Sequence, residues 1–191
     1  MPISKKDVDQ AVIRRAVRDI LKAVGEDPDR EGLKDTPARV ARMYAELCEG
    51  LRKDPREDLK ARFQERYDEV VLVRDIPFHS ICEHHLLPFI GKVHIGYLPK
   101  GQVLGLSKLA RIVDTLAHRP QVQERLTTQV AELLNRELKP KGVVVVMEAS
   151  HACMTIRGVK KPGTTMTTSA MLGHFRLNAA ARAEVLALIR G

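Results

Sequence analysis

The chain has 191 residues, of which 44% are hydrophobic and 29% charged, with three cysteines, no tryptophan and a formal net charge of +8. A chain of this make-up can bury a core inside roughly 9,000 Å² of surface, which excludes disordered, collagen-like and disulfide-framework classes. Its longest apolar runs, such as Val143 to Met147 and Leu86 to Ile90, are about a quarter of the ~20 residues a membrane span needs. The start MPISKKDVDQ has no apolar signal core, so a cytoplasmic protein without a membrane partner is expected.

Ser4 followed by Asp7 predicts a first helix, and Val8, Ala11, Val12, Ala16, Ile20 and Val24 continue it at helical spacing until Gly25 and Pro28. Thr36-Pro37 predicts a second, with Thr36 as cap and Val40, Met43, Tyr44, Leu47 and Cys48 as its buried stripe. Cys48 there reads as a small packing residue. Residues 51–66 read as a charged surface connection holding a short helix. The β-rich runs EVVLVRDIPF and GKVHIGYLP then flank the cluster CEHH at 82–85. Ser107 is the expected cap of a helix that Arg119-Pro120 interrupts, and a further helix runs to Leu138. Lys141-Gly142 leads into VVVVMEA, HACMTIRG reads as a strand, a Thr-rich strand lies near 164–170, and a last helix starts near Asn178.

This order predicts an α+β fold with an antiparallel sheet, not a doubly wound one. The expected division is a helical region over residues 1–66 and a catalytic domain over 67–191.

Cys82 and His85 have a C-x-x-H spacing, short enough for both to reach one ion from a turn. Alternation along the strand expected at 151–157 puts His151, Cys153 and Arg157 on one face. Cys82, His85 and Cys153 form an S₂N set that suits Zn²⁺, and three protein ligands leave a position open for water. A closed structural site with His84 or His151 as fourth ligand is the plainer alternative at this point. His79, His94, His118 and His174 read as surface or satisfied core residues. Lys108 and Arg111, one turn apart beside Ser107, suit a phosphate or carboxylate at a helix start. Glu124 has two readings: a carboxylate favoured by a helix dipole, or one that accepts hydrogen bonds from an N–H-rich heterocycle.

Thr36-Pro37-Ala38-Arg39, RDI, CEHH, GLSKLARIVD, RPQVQERLT, His151-Ala152-Cys153, RG and the Thr-rich segment occur in one order over roughly residues 35–176. In these blocks the chain resembles the GTP cyclohydrolase I family. The resemblance implies zinc held by Cys82, His85 and Cys153. It implies opening of the GTP imidazole ring at C8, formate release and reclosure to 7,8-dihydroneopterin triphosphate. His84 and His151 would shuttle protons, Glu124 with Gln123 beside it would recognise guanine, and Ser107 would assist the sugar rearrangement. Lys108, Arg111 and Arg157 would hold the triphosphate, with Arg39 reaching in from a neighbouring subunit. The implied fold is the tunnelling fold, an antiparallel sheet with two helices on one face, here preceded by N-terminal helices. The implied assembly is a homodecamer of two stacked pentamers.

Lys and Arg balance Asp and Glu at sixteen each over residues 1–70, so the whole basic excess lies in 71–191. That excess raises a nucleic-acid partner as an alternative, but few aromatic residues are present to stack bases and no finger-type ligand spacing occurs. No nucleic acid is expected. A related enzyme acting on another pterin or deazapurine through a nucleophilic cysteine is the third reading, and here the metal claims both candidate cysteines.

Overall fold

The computed structural model describes residues 7–191; the Ser4 cap lies outside them. Helix α1 (Gln10–Ala23) starts at Asp9, whose side chain accepts from the Val12 N–H at 2.9 Å. It packs along α2 (Thr36–Leu47), yet none of its residues is buried, and Val12, Ile20 and Val24 stay exposed. In α2, Thr36 is the first helical residue and Asp35 precedes it as the cap. Only Pro37 and Ala41 are buried, Met43 is exposed, and Cys48 is half-buried at the helix end. Both stripes are thus helical as expected, but they meet each other and do not enter the core clusters of the sheet.

Two single 3₁₀ turns (Glu49–Arg52 and Glu57–Leu59) take the place of the short helix expected in the connection. The elements that follow are β1 (Arg62–Gln64), β2 (Val71–Cys82), β3 (Pro88–Leu98), β4 (Gln102–Leu104), α3 (Leu106–Ala117), β5 (Pro120–Gln121) and α4 (Gln123–Leu138). The chain ends with β6 (Gly142–His151), the one-turn helix α5 (Ala152–Thr155), β7 (Met166–Gly173), the short α6 (His174–Leu177) and α7 (Ala179–Arg190). Strands β1 and β4 form a small ribbon. The main sheet has the order β5-β2-β3-β6-β7, antiparallel except for the short β5–β2 pair.

Alternation sorts the strand residues onto two faces. Phe78, Val93, Ile95, Tyr97, Val143, Val145 and Met147 share one core with Leu109, Ile112 and Val113 of α3 and Leu126, Val130 and Leu134 of α4. Val144 and Val146 face the other way and meet Phe175 and Val185, so α7 covers part of the second face. Two helices on one face of an antiparallel sheet, after N-terminal helices, is the expected tunnelling-fold architecture.

The register decides what meets at the ends. Ile81 pairs with Pro88 and with Pro120, Phe89 with His151, and Ala149 with Met166. The end of β2, the start of β3, the end of β6 and the starts of α4 and β7 therefore gather at one end of the sheet.

Two further local expectations change. HACMTIRG is not a strand: β6 ends at His151 opposite Phe89, Pro88 before it has no N–H to offer, and β7 pairs only as far as Ala149. With no ladder to join, the chain closes into α5. Ser107 is the second residue of α3, and the cap is Gly105, which offers no side chain.

Candidate active site

At the shared end the CEHH segment makes a tight turn. The Leu86 N–H donates to the Cys82 carbonyl at 2.8 Å, and Leu86 itself is left-handed at φ 54°. The Cys82 N–H donates to Leu87 at 2.8 Å and the Glu83 N–H to Gln121 at 2.9 Å, which ties the turn to β5. Arg125 in the first turn of α4 grips both Glu83 oxygens, at 2.5 and 3.0 Å, and holds that carboxyl below the usual range. This fork was not legible in the sequence, because Glu83 and Arg125 are 42 positions apart.

The turn brings Cys82 Sγ to 3.8 Å from His85 Nδ1, and α5 supplies Cys153; the three ligand atoms lie within 4.8 Å of one another. Tetrahedral zinc, at about 2.3 Å from sulfur and about 2.0 Å from nitrogen, sets its ligand atoms about 3.5–3.8 Å apart, so the cluster fits the ion once its atoms close by up to about 1 Å. Burial, then the adjacent Cys82 thiol, push the Cys153 thiol up, and a bound cation's charge reverses that preference. Cys153 thus joins the cluster as expected, from a helical turn in place of a strand.

The cluster opens into a cleft of 470 Å³, a size suited to a small ligand, lined among others by His84, Glu124, His151, Met154, Thr164 and Thr165. A larger depression of 720 Å³ beside Tyr67 and Lys100 is lined by no cysteine or histidine, so size does not mark the chemistry here. His84 is exposed, with its Nε2 3.9 Å from a Glu83 oxygen. His151 stacks on Phe89 at 4.6 Å between ring centroids, tilted by 1°. Burial lowers its pKa, with Glu124 pulling the other way, so the imidazole is neutral at neutral pH. Its Nε2 lies 2.8 Å from Gln123 Oε1.

Not every expected residue lies here. Arg157 is exposed just beyond α5, near enough for its charge to act on Cys153. Ser107, Lys108 and Arg111 do not line the cleft. They begin α3, whose other end is the one at the site, where Ser80 Oγ donates to Ala117 O at 2.6 Å. Lys108 and Arg111 therefore sit roughly 9–14 Å from Ala117 along the helix axis, and Arg111 lies 3.9 Å from Asp58. Arg39 is exposed on α2, with Asp35 at 3.6 Å.

A cation held by two thiols and one imidazole keeps a coordination position free, and imidazoles beside it can move protons. By fold and site this is a hydrolase of the α+β class with a cluster able to hold a metal ion. Residues 13–190 match the GTP cyclohydrolase I family, and the chain belongs to it. Proteins named GTP cyclohydrolase 1 are similar along nearly all of it. That of Pelotomaculum thermopropionicum is 61% identical over 184 residues, 96% of this chain and 98% of the relative. That of Clostridioides difficile is 60% identical, covering 95% and 97%. That of Rhodopirellula baltica is 62% identical, covering 96% and 80%. A crystal structure of apo archaeosine synthase QueF-Like has a TM-score of 0.46 at 20% identity, over 55% of this chain and 93% of that one.

Proposed function

We propose that the chain is a zinc-dependent GTP cyclohydrolase I. It opens the imidazole ring of GTP at C8, releases formate, and recloses the skeleton as 7,8-dihydroneopterin triphosphate. The observation that carries this reading is the convergence of Cys82, His85 and Cys153, within 4.8 Å of one another, on the cleft that also holds His84, His151 and Glu124. Family membership supplies the substrate.

Cys82, His85 and Cys153 would hold the zinc, which when bound supplies Lewis-acid activation of water. The chain's own groups do the rest. Glu124, exposed in the first turn of α4, accepts from the guanine ring N–H and exocyclic amine. His151, neutral and half-buried, takes and returns a proton at the purine. His84, exposed on the opposite lip, exchanges protons with the ring and ribose oxygens. Met154, Thr164 and Thr165 narrow the cleft and shed water as the base enters.

Ser107, Lys108, Arg111 and Arg39 belong to the same reaction but not to this copy's cleft. We infer a homo-oligomer, with a decamer of two stacked pentamers as the expected form, in which a second copy brings its α3 start and a further one its Arg39 to the triphosphate. Exposed Val12, Ile20 and Val24 on α1 support assembly. So does the chain's accessible surface of 11162 Å², since a compact monomer of this mass exposes only about 9,100 Å². No helix of the described residues is long and apolar enough to cross a membrane. Free cysteines used as metal ligands suit the reducing cytoplasm, where we place the protein.

Cys153→Ala tests the reading. The variant is expected to lose bound zinc and formate release together while remaining folded. Full zinc occupancy in the variant would move the third ligand elsewhere.

A further inference from the structure

We propose that Gln123 is a positioning residue for His151: its amide fixes the imidazole as the Nε2–H tautomer and leaves the ring's lone pair on Nδ1. The tautomer rests on local geometry alone, and its catalytic use rests on the cyclohydrolase reading above.

Gln123 opens α4 and is 0% exposed. One end of its amide lies 3.1 Å from Met147 O, 3.0 Å from Met166 O and 3.1 Å from Thr168 Oγ1. Backbone carbonyls only accept, so that end is the NH₂ group and the other end is the oxygen. The oxygen faces His151 Nε2 at 2.8 Å and can only accept, so Nε2 carries a proton. The hydroxyls around the amide agree. Thr127 Oγ1 donates to Gln123 O at 2.7 Å, leaving Thr168, 2.6 Å away, to donate to Thr127 while it accepts from the amide. The ring of bonds runs in one direction and closes on the same residue, which prevents a flip of the amide.

The imidazole is held in its plane as well, by the parallel stack on fully buried Phe89. A neutral ring with Nε2 protonated offers its lone pair at Nδ1 only. Gln123 therefore serves the reaction through His151, and not by touching the base. The acceptors around its buried NH₂ group leave no amide donor for guanine. The family resemblance places it against the base beside Glu124; the partners that favour the positioning role come from β6 and β7.

The test is magic-angle-spinning NMR of the full-length, zinc-loaded protein labelled with ¹⁵N at histidine Nδ1, where His151→Asn identifies the His151 signal by its loss. The wild type is expected to show an unprotonated Nδ1. In Gln123→Met that signal is expected to become partly protonated. There kcat should fall by roughly 10- to 100-fold, with KM for GTP within about threefold of wild type. Gln123→Glu keeps an acceptor oxygen and should restore the signal and most of kcat. A protonated Nδ1 in the wild type overturns the proposal whether or not the variants fold. A Gln123→Met variant whose KM rises while kcat holds also overturns it, because the side chain would then bind the base. Absence of formate release by wild type showing the expected tautomer removes the cyclohydrolase reading and leaves the Gln123–His151 pairing standing.

Discussion

His94 carries a pH effect outside the cleft. It is buried on β3, and its Nδ1 accepts from the Asp75 N–H at 3.2 Å, a bond available only to the unprotonated nitrogen. Burial lowers its pKa from the usual 6.5, against Asp75 and Glu148, which raise it, and with Lys92 and Arg74, which lower it. The unfolded chain therefore takes up the proton first. The contribution to stability is complete above about pH 6.5 and is lost as pH falls through that value and then the lower folded one. His94→Asn keeps an acceptor near the Nδ1 position without titrating. Urea midpoints measured at about pH 7.5 and about 5.5 should differ less in the variant than in wild type. Equal differences would show that His94 does not titrate with folding.

At this scale the sequence was most informative about the metal ligands, because two thiols and an imidazole at such spacing have few uses. It was least informative about Gln123, Thr127 and Thr168. Their meaning depends on strands some forty residues away, and no local pattern encodes that.

Among the elements, periodicity gave α1, α2, α4 and α7, but of the expected starts only Asn178 is the cap itself, accepting from the Ala180 and Ala181 N–H groups. Periodicity reports a helix, not its partner, so burial of the first two stripes could not be read. α5 failed for a related reason. Alternation in HACMTIRG suits a strand, but a strand needs neighbours, and the ladder ends at His151. The β3–β6 pair that carries His151 has its own constraint at Gly91. A Cβ there would run into the Glu148 carbonyl and Ala149, both on β6. Gly91→Ala should therefore spread the two strands and cost on the order of 1–3 kcal/mol, as overpacking does. Chemical denaturation would check it, with formate release as a second readout because the shift reaches His151. An unchanged midpoint would mean the strands yield freely.

For the whole molecule, the basic excess over residues 71–191 is only partly accounted for. Lys108, Arg111 and Arg157 belong to the proposed triphosphate site, while Arg39 lies in the neutral portion of the chain. Because α3 begins away from the metal cluster, the proposed triphosphate site calls for more than one copy. Arg111→Ala and Cys153→Ala proteins should each be nearly inactive alone. Denatured, mixed and reassembled together with zinc, they should regain part of the wild-type rate, since some clefts then combine an intact metal site with an intact cation. No recovery in a mixed assembly would place both residues in one chain's site.

In the proposed reaction this cleft opens a purine ring at C8, and labelled substrate follows that carbon directly. With zinc-loaded protein and GTP carrying ¹³C at C8, labelled formate is expected in a one-to-one ratio with GTP consumed. A chelator should stop the reaction and added zinc should restart it. Fully zinc-loaded, assembled protein that leaves the label in the nucleotide would contradict it.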